Sequence, residues 1–149
     1  MTTPHEVIAC ARQFSGVRFA HQGRSVAGLD CLGLLLITAK TLGLQFEGVG
    51  VEAFDVPHYG TRPDAMLLRK KLDTHLHAIE KNEVREADIV LLKIDGMPQH
   101  LALLTDYPMT QELGMIHAYA PAREVVEHRY DEHWQRNTYR AYRLPQLAH

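Results

Sequence analysis

Apolar residues recur at helical spacing through the first half of the chain and gather into short β-branched and aliphatic runs through the second. Over residues 4–14, Val7, Ile8, Ala11 and Phe14 fall on one stripe, with Thr3 placed to cap the start and Gly16 just past the end. This predicts a short amphipathic helix. Residues 19–29 are polar, contain two glycines and read as a loop. A strongly apolar stretch follows from Asp30 to Gly43, which predicts a buried helix capped by Asp30 and closed by Gly43. Residues 44–62 are rich in Gly, Pro and aromatics without a period, and read as a long connecting loop that could wall a cleft. Residues 63–81 carry Leu68, Leu72, Leu76 and Ile79 on one stripe, which predicts an amphipathic helix.

From Ala87 the pattern changes to a predominantly apolar run ending at Ile94, followed by a turn at Asp95 and Gly96. Further strands are predicted at residues 100–105, 115–119, 123–129 and 138–144. Helices first and an antiparallel sheet of about five strands afterwards make an α+β fold. With 149 residues, 46% hydrophobic and 23% charged, the chain has the composition of one folded domain covering residues 1–149.

Charge narrows the choice of partners. A formal charge of −2 and a pI near 6.5 supply no broad positive field, which sets aside nucleic acid and anionic membrane surface as primary partners. The apolar run at residues 32–37 is far shorter than the roughly 20 residues that span a bilayer. Residues 1–14 lack the basic-then-apolar pattern of a secretory signal, so the chain is expected to be cytoplasmic when made. Cys10 and Cys31 cannot make a disulfide framework, and both read as thiols.

The chemistry concentrates around Cys31, which the segment GLDCLGL (28–34) places in the first turn of the predicted buried helix. Unpaired N–H groups and the positive end of the helix dipole favour a thiolate there, lowering the thiol below its usual value of about 8.5. The same N–H groups could donate to an oxyanion beside the sulfur, and Gly33 leaves the turn open to close approach. Asp30 opposes a thiolate unless its carboxylate turns to the backbone as a cap. The alternative for Cys31 is a small buried residue among leucines, and Cys10, inside the first helix, reads as inert.

A thiol nucleophile needs a base and an orienting partner. His100 shares a strand face with Ala102 and Leu104, so it meets Cys31 if the cysteine helix covers that face. His117 lies in the next strand, where antiparallel pairing could set the two imidazoles side by side and let His117 hold the tautomer of His100. Ten histidines in the chain make a core or surface histidine the alternative for each. A metal site from His75 and His77, or His128 and His133, is disfavoured, because residues two apart on a helix do not share a face and no carboxylate or cysteine completes a ligand spacing. No metal and no cofactor are expected.

Taken together, Gly16-Val17-Arg18-Phe19, His21-Gln22-Gly23-Arg24 and the segment from Gly28 to Leu34 resemble the nucleophile region of NlpC-type cysteine peptidases. Gln99-His100-Leu101-Ala102-Leu103 resembles their histidine strand, and Met115-Ile116-His117-Ala118 the strand holding their third catalytic residue. The resemblance spans most of the chain, and its motifs are specific as a set. It implies a papain-like fold and a cysteine endopeptidase that cuts peptidoglycan stem or cross-link peptides next to γ-D-glutamate, with Cys31 as nucleophile, His100 as general base and His117 as orienting residue. Phe19 stands where many members have a tyrosine lining the substrate cleft, and Leu32 replaces a serine that often follows the cysteine. Asp30, Phe19 and Arg24 are the substrate-binding candidates, Asp30 for an ammonium group and Arg24 for a carboxylate; capping for Asp30 and a solvated loop for Arg24 stay open beside these roles. The His-Gln-Gly-Arg segment is similar to forms found in phage tails and prophage-like clusters, which implies tail-tip proteins as partners and a virion or tail location. Two other functions share the fold: a catalytically silent tail or wall-binding module, and a thiol amidase or acyltransferase on another substrate.

Overall fold

Among the described residues, five α-helices pack with a six-stranded antiparallel sheet and a small two-stranded one, a mixed α+β architecture. The computed structural model describes residues 1–46, 49–55, 64–108, 110–145 and 147–148. The first helix, α1 (Pro4–Arg12), starts where the Thr3 hydroxyl accepts from the Glu6 N–H and presents Val7, Ile8 and Ala11 to the core. Two short strands, β1 (Arg24–Ser25) and β2 (Gly28–Leu29), pair into a small hairpin inside the expected loop. The buried helix α2 (Cys31–Leu42) runs from an Asp30 cap to Gly43, which takes the left-handed conformation (φ +69°) that glycine adopts without strain.

In the segment expected to be a loop, Val51–Phe54 forms a short helix, α3, with Phe54 buried and stacked on Phe46. Residues 47–48 and 56–62 of that segment lie outside the described residues. Helix α4 (Ala65–His75) is capped by Asp64 and buries Leu68 and Leu72. It ends six residues earlier than the apolar stripe predicts. Leu76 is extended and buried, and His77–Ile79 forms the strand β3. The reason is the sheet edge: pairing Ile79 with Ala141 and His77 with Arg143 gives the neighbouring strand β8 (Thr138–Arg143) hydrogen-bonding partners that a longer helix would leave unmet.

The remaining strands are β4 (Ile89–Ile94), β5 (Met97–Asp106), β6 (Leu113–Tyr119) and β7 (Glu124–Arg129), with a short helix α5 (Glu132–Arg136) before β8. The sheet order is β3-β8-β4-β5-β6-β7, so the sheet has six strands where about five are expected, the extra one being β3. Asp95 and Gly96, both at positive φ, make the two-residue turn between β4 and β5. One face of the sheet packs Ile89, Leu91, Leu101, Leu103, Ile116 and Ala118 with the helices in the main core. The other face carries a smaller cluster of Val90, Leu92, Ala102, Leu104, Met115 and Tyr130, backed by Trp134. Arg12 ties α1 to β7 with a fork onto both oxygens of Glu127, at 2.9 and 2.8 Å.

What fixes the start of α2 is backbone contact. A Cβ at Gly33 would sit 2.0 Å from the carbonyl oxygen of Gly23, so the glycine lets the preceding loop lie directly on the first turn of the helix. We expect Gly33→Ala to destabilise the fold by about 1–3 kcal/mol through this overpacking, read as a melting temperature lowered by at least about 2 °C. A variant melting with the parent protein would show that the contact relaxes without cost.

Candidate active site

The N-terminal turn of α2 is held by one carboxylate. Asp30, only 3% exposed, accepts from the Gly33 N–H at 2.8 Å, the Gln22 N–H at 3.1 Å and the Arg24 guanidinium at 2.8 Å. Arg24 in turn places Nε and an Nη on Asp55 and donates to the Gly23 carbonyl. Asp30 and Arg24 are therefore engaged with each other and with backbone, joining the loop before the cysteine to the end of α3. Phe19, half-buried, bridges to Leu29 one residue before Asp30, and its backbone N–H donates to the Arg123 carbonyl.

Cys31 follows this cap and is 7% exposed. Its sulfur takes N–H contacts from Leu32, in its own turn, and from Leu101 on β5. Because Leu101 N is bonded to the carbonyl carbon of His100, the sulfur lies against the peptide unit that joins these residues. The β5–β6 ladder explains why that N–H is available. It pairs Leu103 with Ile116 and continues to Asp106 with Leu113, so toward Leu101 and His117 the two strands have parted. The first turn of α2 meets the sheet here. Leu101 and Leu103 belong to the helix-facing core, whereas Ala102 and Leu104 pack on the other face. Cys31 thus lies against the backbone at Leu101, and its helix packs on the face of Leu101 and Leu103, not, as the strand pattern suggests, on the face of Ala102 and Leu104. Among the described residues no hydrogen bond joins the sulfur to the His100 ring.

The two candidate imidazoles do meet. His100 Nε2 and His117 Nδ1 are 2.7 Å apart, with ring centroids at 5.0 Å in an edge arrangement. Tyr119 stacks on His117 at 4.8 Å and Trp134 stands edge-on to it at 5.3 Å. A third histidine, unassigned by the sequence pattern, extends the row: His117 Nε2 lies 2.9 Å from His128 Nε2. Its signal was in the register. The turn after Tyr119 pairs it with Glu124, which sets Val126 opposite His117 and puts His128 on the diagonal, within reach of a ring.

Burial dominates the electrostatics. The Cys31 thiol is pushed up to about 12, first by desolvation and then by the Asp30 carboxylate, with the two N–H contacts and Arg24 acting in the opposite direction. The helix terminus alone leads one to expect a depressed thiol; here the loss of water outweighs the dipole. His100 is pushed down to about 4 by burial, and His117 to about 2 by burial and by its two histidine neighbours. At neutral pH the resting state is a neutral thiol beside neutral imidazoles. Cys10 is buried within 3.8 Å of the Thr38 carbonyl, its thiol also raised by desolvation. Among the described residues no cluster of three metal-ligating side chains occurs and no helix is long and apolar enough to cross a membrane.

Residues 16–143 match the sequence profile of the NlpC/P60 family. The fold superposes on an NlpC/P60 family protein from Bacillus cereus with a TM-score of 0.67 at 19% identity, over 95% of this chain and 40% of that one. It also superposes on the NlpC/p60 domain of the peptidoglycan hydrolase SagA, with a TM-score of 0.64 at 15% identity over 96% and 100% of the two chains. For the peptidoglycan hydrolase RipB from Mycobacterium tuberculosis the TM-score is 0.59 at 18% identity, over 94% of this chain and 63% of that one. These likenesses concern the fold. The chain spans 40% of the length of the Bacillus cereus protein, and no curated protein sequence matches it.

Two measurements follow from the electrostatics. Because burial pushes His100 down to about 4 from its usual 6.5, the unfolded chain binds more protons between those values and stability falls as pH drops through them. The fall corresponds to about 3 kcal/mol for His100 alone, so melting temperatures measured from pH 7 to pH 4 should decline steeply, and a flat profile would contradict the buried neutral histidines. Alkylation of Cys31 by iodoacetamide should accelerate with pH up to and beyond pH 9 without an earlier plateau; a plateau reached below neutral pH would reveal a resting thiolate.

Proposed function

The chain belongs to the NlpC/P60 family, and on that premise we propose that it is a cysteine peptidase acting on the peptides of bacterial cell walls, with Cys31 as nucleophile, His100 as base and His117 as the group that orients His100. The observation that carries the reading is the convergence at the parted β5–β6 strands: the sulfur lies against the His100–Leu101 peptide unit while the His100 ring is held by His117 at 2.7 Å. Apo sites commonly leave the nucleophile–base bond long and tighten it on substrate binding.

In the proposed reaction the Cys31 proton passes to Nδ1 of His100 as the sulfur bonds to the peptide carbonyl carbon. The resulting oxyanion faces the first-turn donors of α2, the Cys31 N–H among them. The His100 imidazolium then gives its proton to the leaving amine as the C–N bond breaks, leaving a thioester on Cys31. Water, losing a proton to His100, hydrolyses the thioester and returns the thiol. Asp30 and Arg24 act in this reading as the scaffold of the nucleophile turn, their polar atoms being committed to one another and to backbone. Phe19 flanks the turn from the loop side. Cleavage next to γ-D-glutamate and a phage-tail setting rest on the sequence resemblance, the latter on His21-Gln22-Gly23-Arg24 alone.

A second reading, a wall-binding module without turnover, is favoured by the raised Cys31 thiol and by the lack of a sulfur–imidazole hydrogen bond among the described residues. Incubation with muropeptides and mass analysis of the product ends separates the two. We expect cleavage by the parent protein and a loss of about a thousand-fold or more in both Cys31→Ala and His100→Ala, with unchanged circular dichroism. Cleavage surviving in Cys31→Ala would end the peptidase proposal, and muropeptides bound but never cut would establish the silent module.

A further inference from the structure

The row of histidines does not stop at His117, and its far end is fixed by an atom that can only accept. His128 Nδ1 lies 2.9 Å from the backbone carbonyl oxygen of its neighbour Arg129. A carbonyl has no proton to give, so Nδ1 of His128 must be the donor. In a neutral imidazole the other nitrogen is then bare, and Nε2 of His128 accepts. Its partner, His117 Nε2 at 2.9 Å, must therefore carry a proton, which leaves Nδ1 of His117 bare. That bare nitrogen faces His100 Nε2 at 2.7 Å, so His100 carries its proton on Nε2. The consequence falls at the near end: Nδ1 of His100 is left as the free lone pair.

We propose that His128 is a positioning residue, which sets the tautomers of His117 and His100 in sequence so that His100 presents a proton-accepting Nδ1 toward Cys31. The inference rests on the proposed peptidase reading. It adds a residue that touches neither sulfur nor substrate, and it gives direction to a chain that would otherwise work equally well reversed. Without an acceptor at position 128, His117 avoids an orphaned buried N–H by placing its proton on Nδ1 and donating to His100, as backbone donors also avoid burial without a partner. His100 would then carry its proton on Nδ1, the tautomer that cannot take one from a thiol.

The strands that hold the row support the assignment. Val126 pairs with His117 and His128 with Met115, so the His117–His128 contact is the diagonal between two registered pairs. Trp134 packs edge-on to His117 at 5.3 Å and at 5.7 Å from His128, restricting both rings. The count applies to the state in which the three rings are neutral, and burial favours that state for His100 and His117.

The test pairs two substitutions with a direct reading of the tautomers. In the parent protein at neutral pH, long-range proton–nitrogen correlation spectra of the imidazoles should show His100 and His117 protonated on Nε2 and His128 on Nδ1. His128→Phe, which keeps the ring contact but removes the acceptor, should shift His100 toward the Nδ1–H form and lower kcat/KM on muropeptides by about 10-fold or more. His128→Gln should restore the parent tautomers and bring kcat/KM back to within about three-fold, because its amide can donate to the Arg129 carbonyl and accept from His117 as the imidazole does. His117 found protonated on Nδ1 in the parent protein would overturn the proposal, as would His128→Phe with unchanged tautomers. The spectra decide the point even if Cys31→Ala continues to cleave muropeptides, an outcome that would sink the peptidase reading and leave the direction of the histidine row standing or falling by itself.

Discussion

Everything near Cys31 is arranged around the buried Asp30 carboxylate. It satisfies the third N–H of α2, draws in the backbone of Gln22 and binds Arg24, so the helix start, the preceding loop and the end of α3 share one anchor. Capping and loop attachment are the same interaction here, and the close seat of Gly33 against the Gly23 carbonyl depends on it. The cost is electrostatic, since the anion that organises the turn also works against a thiolate one residue away. The protein accepts a less acidic thiol in return for a fixed one, and any activation has to come from the groups that face the sulfur.

Those groups are supplied by an imperfection in the sheet. A ladder continuing past the Leu103–Ile116 pair would bind the Leu101 N–H to β6 and leave the sulfur facing saturated backbone. Because the ladder stops there, the Leu101 N–H is left to act on the thiol, and the His100 and His117 rings meet from neighbouring strands. Antiparallel pairing then carries the row on to β7, where geometry and not charge determines which rings can touch. One feature of strand register thus serves both ends of the candidate site.

Much of this was legible in the sequence wherever a local rule acts alone. Thr3, Asp30 and Gly43 mark their helix ends because capping depends on the few residues around the terminus. The Asp95-Gly96 turn and its flanking apolar runs likewise specify a hairpin. Two things were hidden, for different reasons. Ile79 continues the Leu68-Leu72-Leu76 stripe perfectly, yet it lies in a strand, because the need of β8 for an edge partner is set by residues more than sixty positions away. The thiol departs from the helix-terminus expectation because a helix terminus can be read from sequence while desolvation cannot: the dipole is local, but the water is removed by the opposing layer that includes Leu101. His128 falls between these cases, since its place follows from a hairpin register that sequence suggests and only the observed turn at residues 120–122 fixes.

A buried thiol near 12 beside an imidazole near 4 looks at first like a poor pair, yet it suits a site that must stabilise charge only while it forms. Catalysis depends on contacts that are stronger in the transition state than at rest. The Leu32 and Leu101 N–H groups gain little from a neutral sulfur and much from an anionic one, and they are already in place, so no reorganisation is needed when the proton leaves. On the proposed reading the thiolate and the His100 imidazolium would arise together, so each offsets part of the desolvation the other suffers. On the proposed reading, then, the burial that makes either charge unfavourable alone is what ties the two to one event, the arrival of a substrate carbonyl at the parted strands.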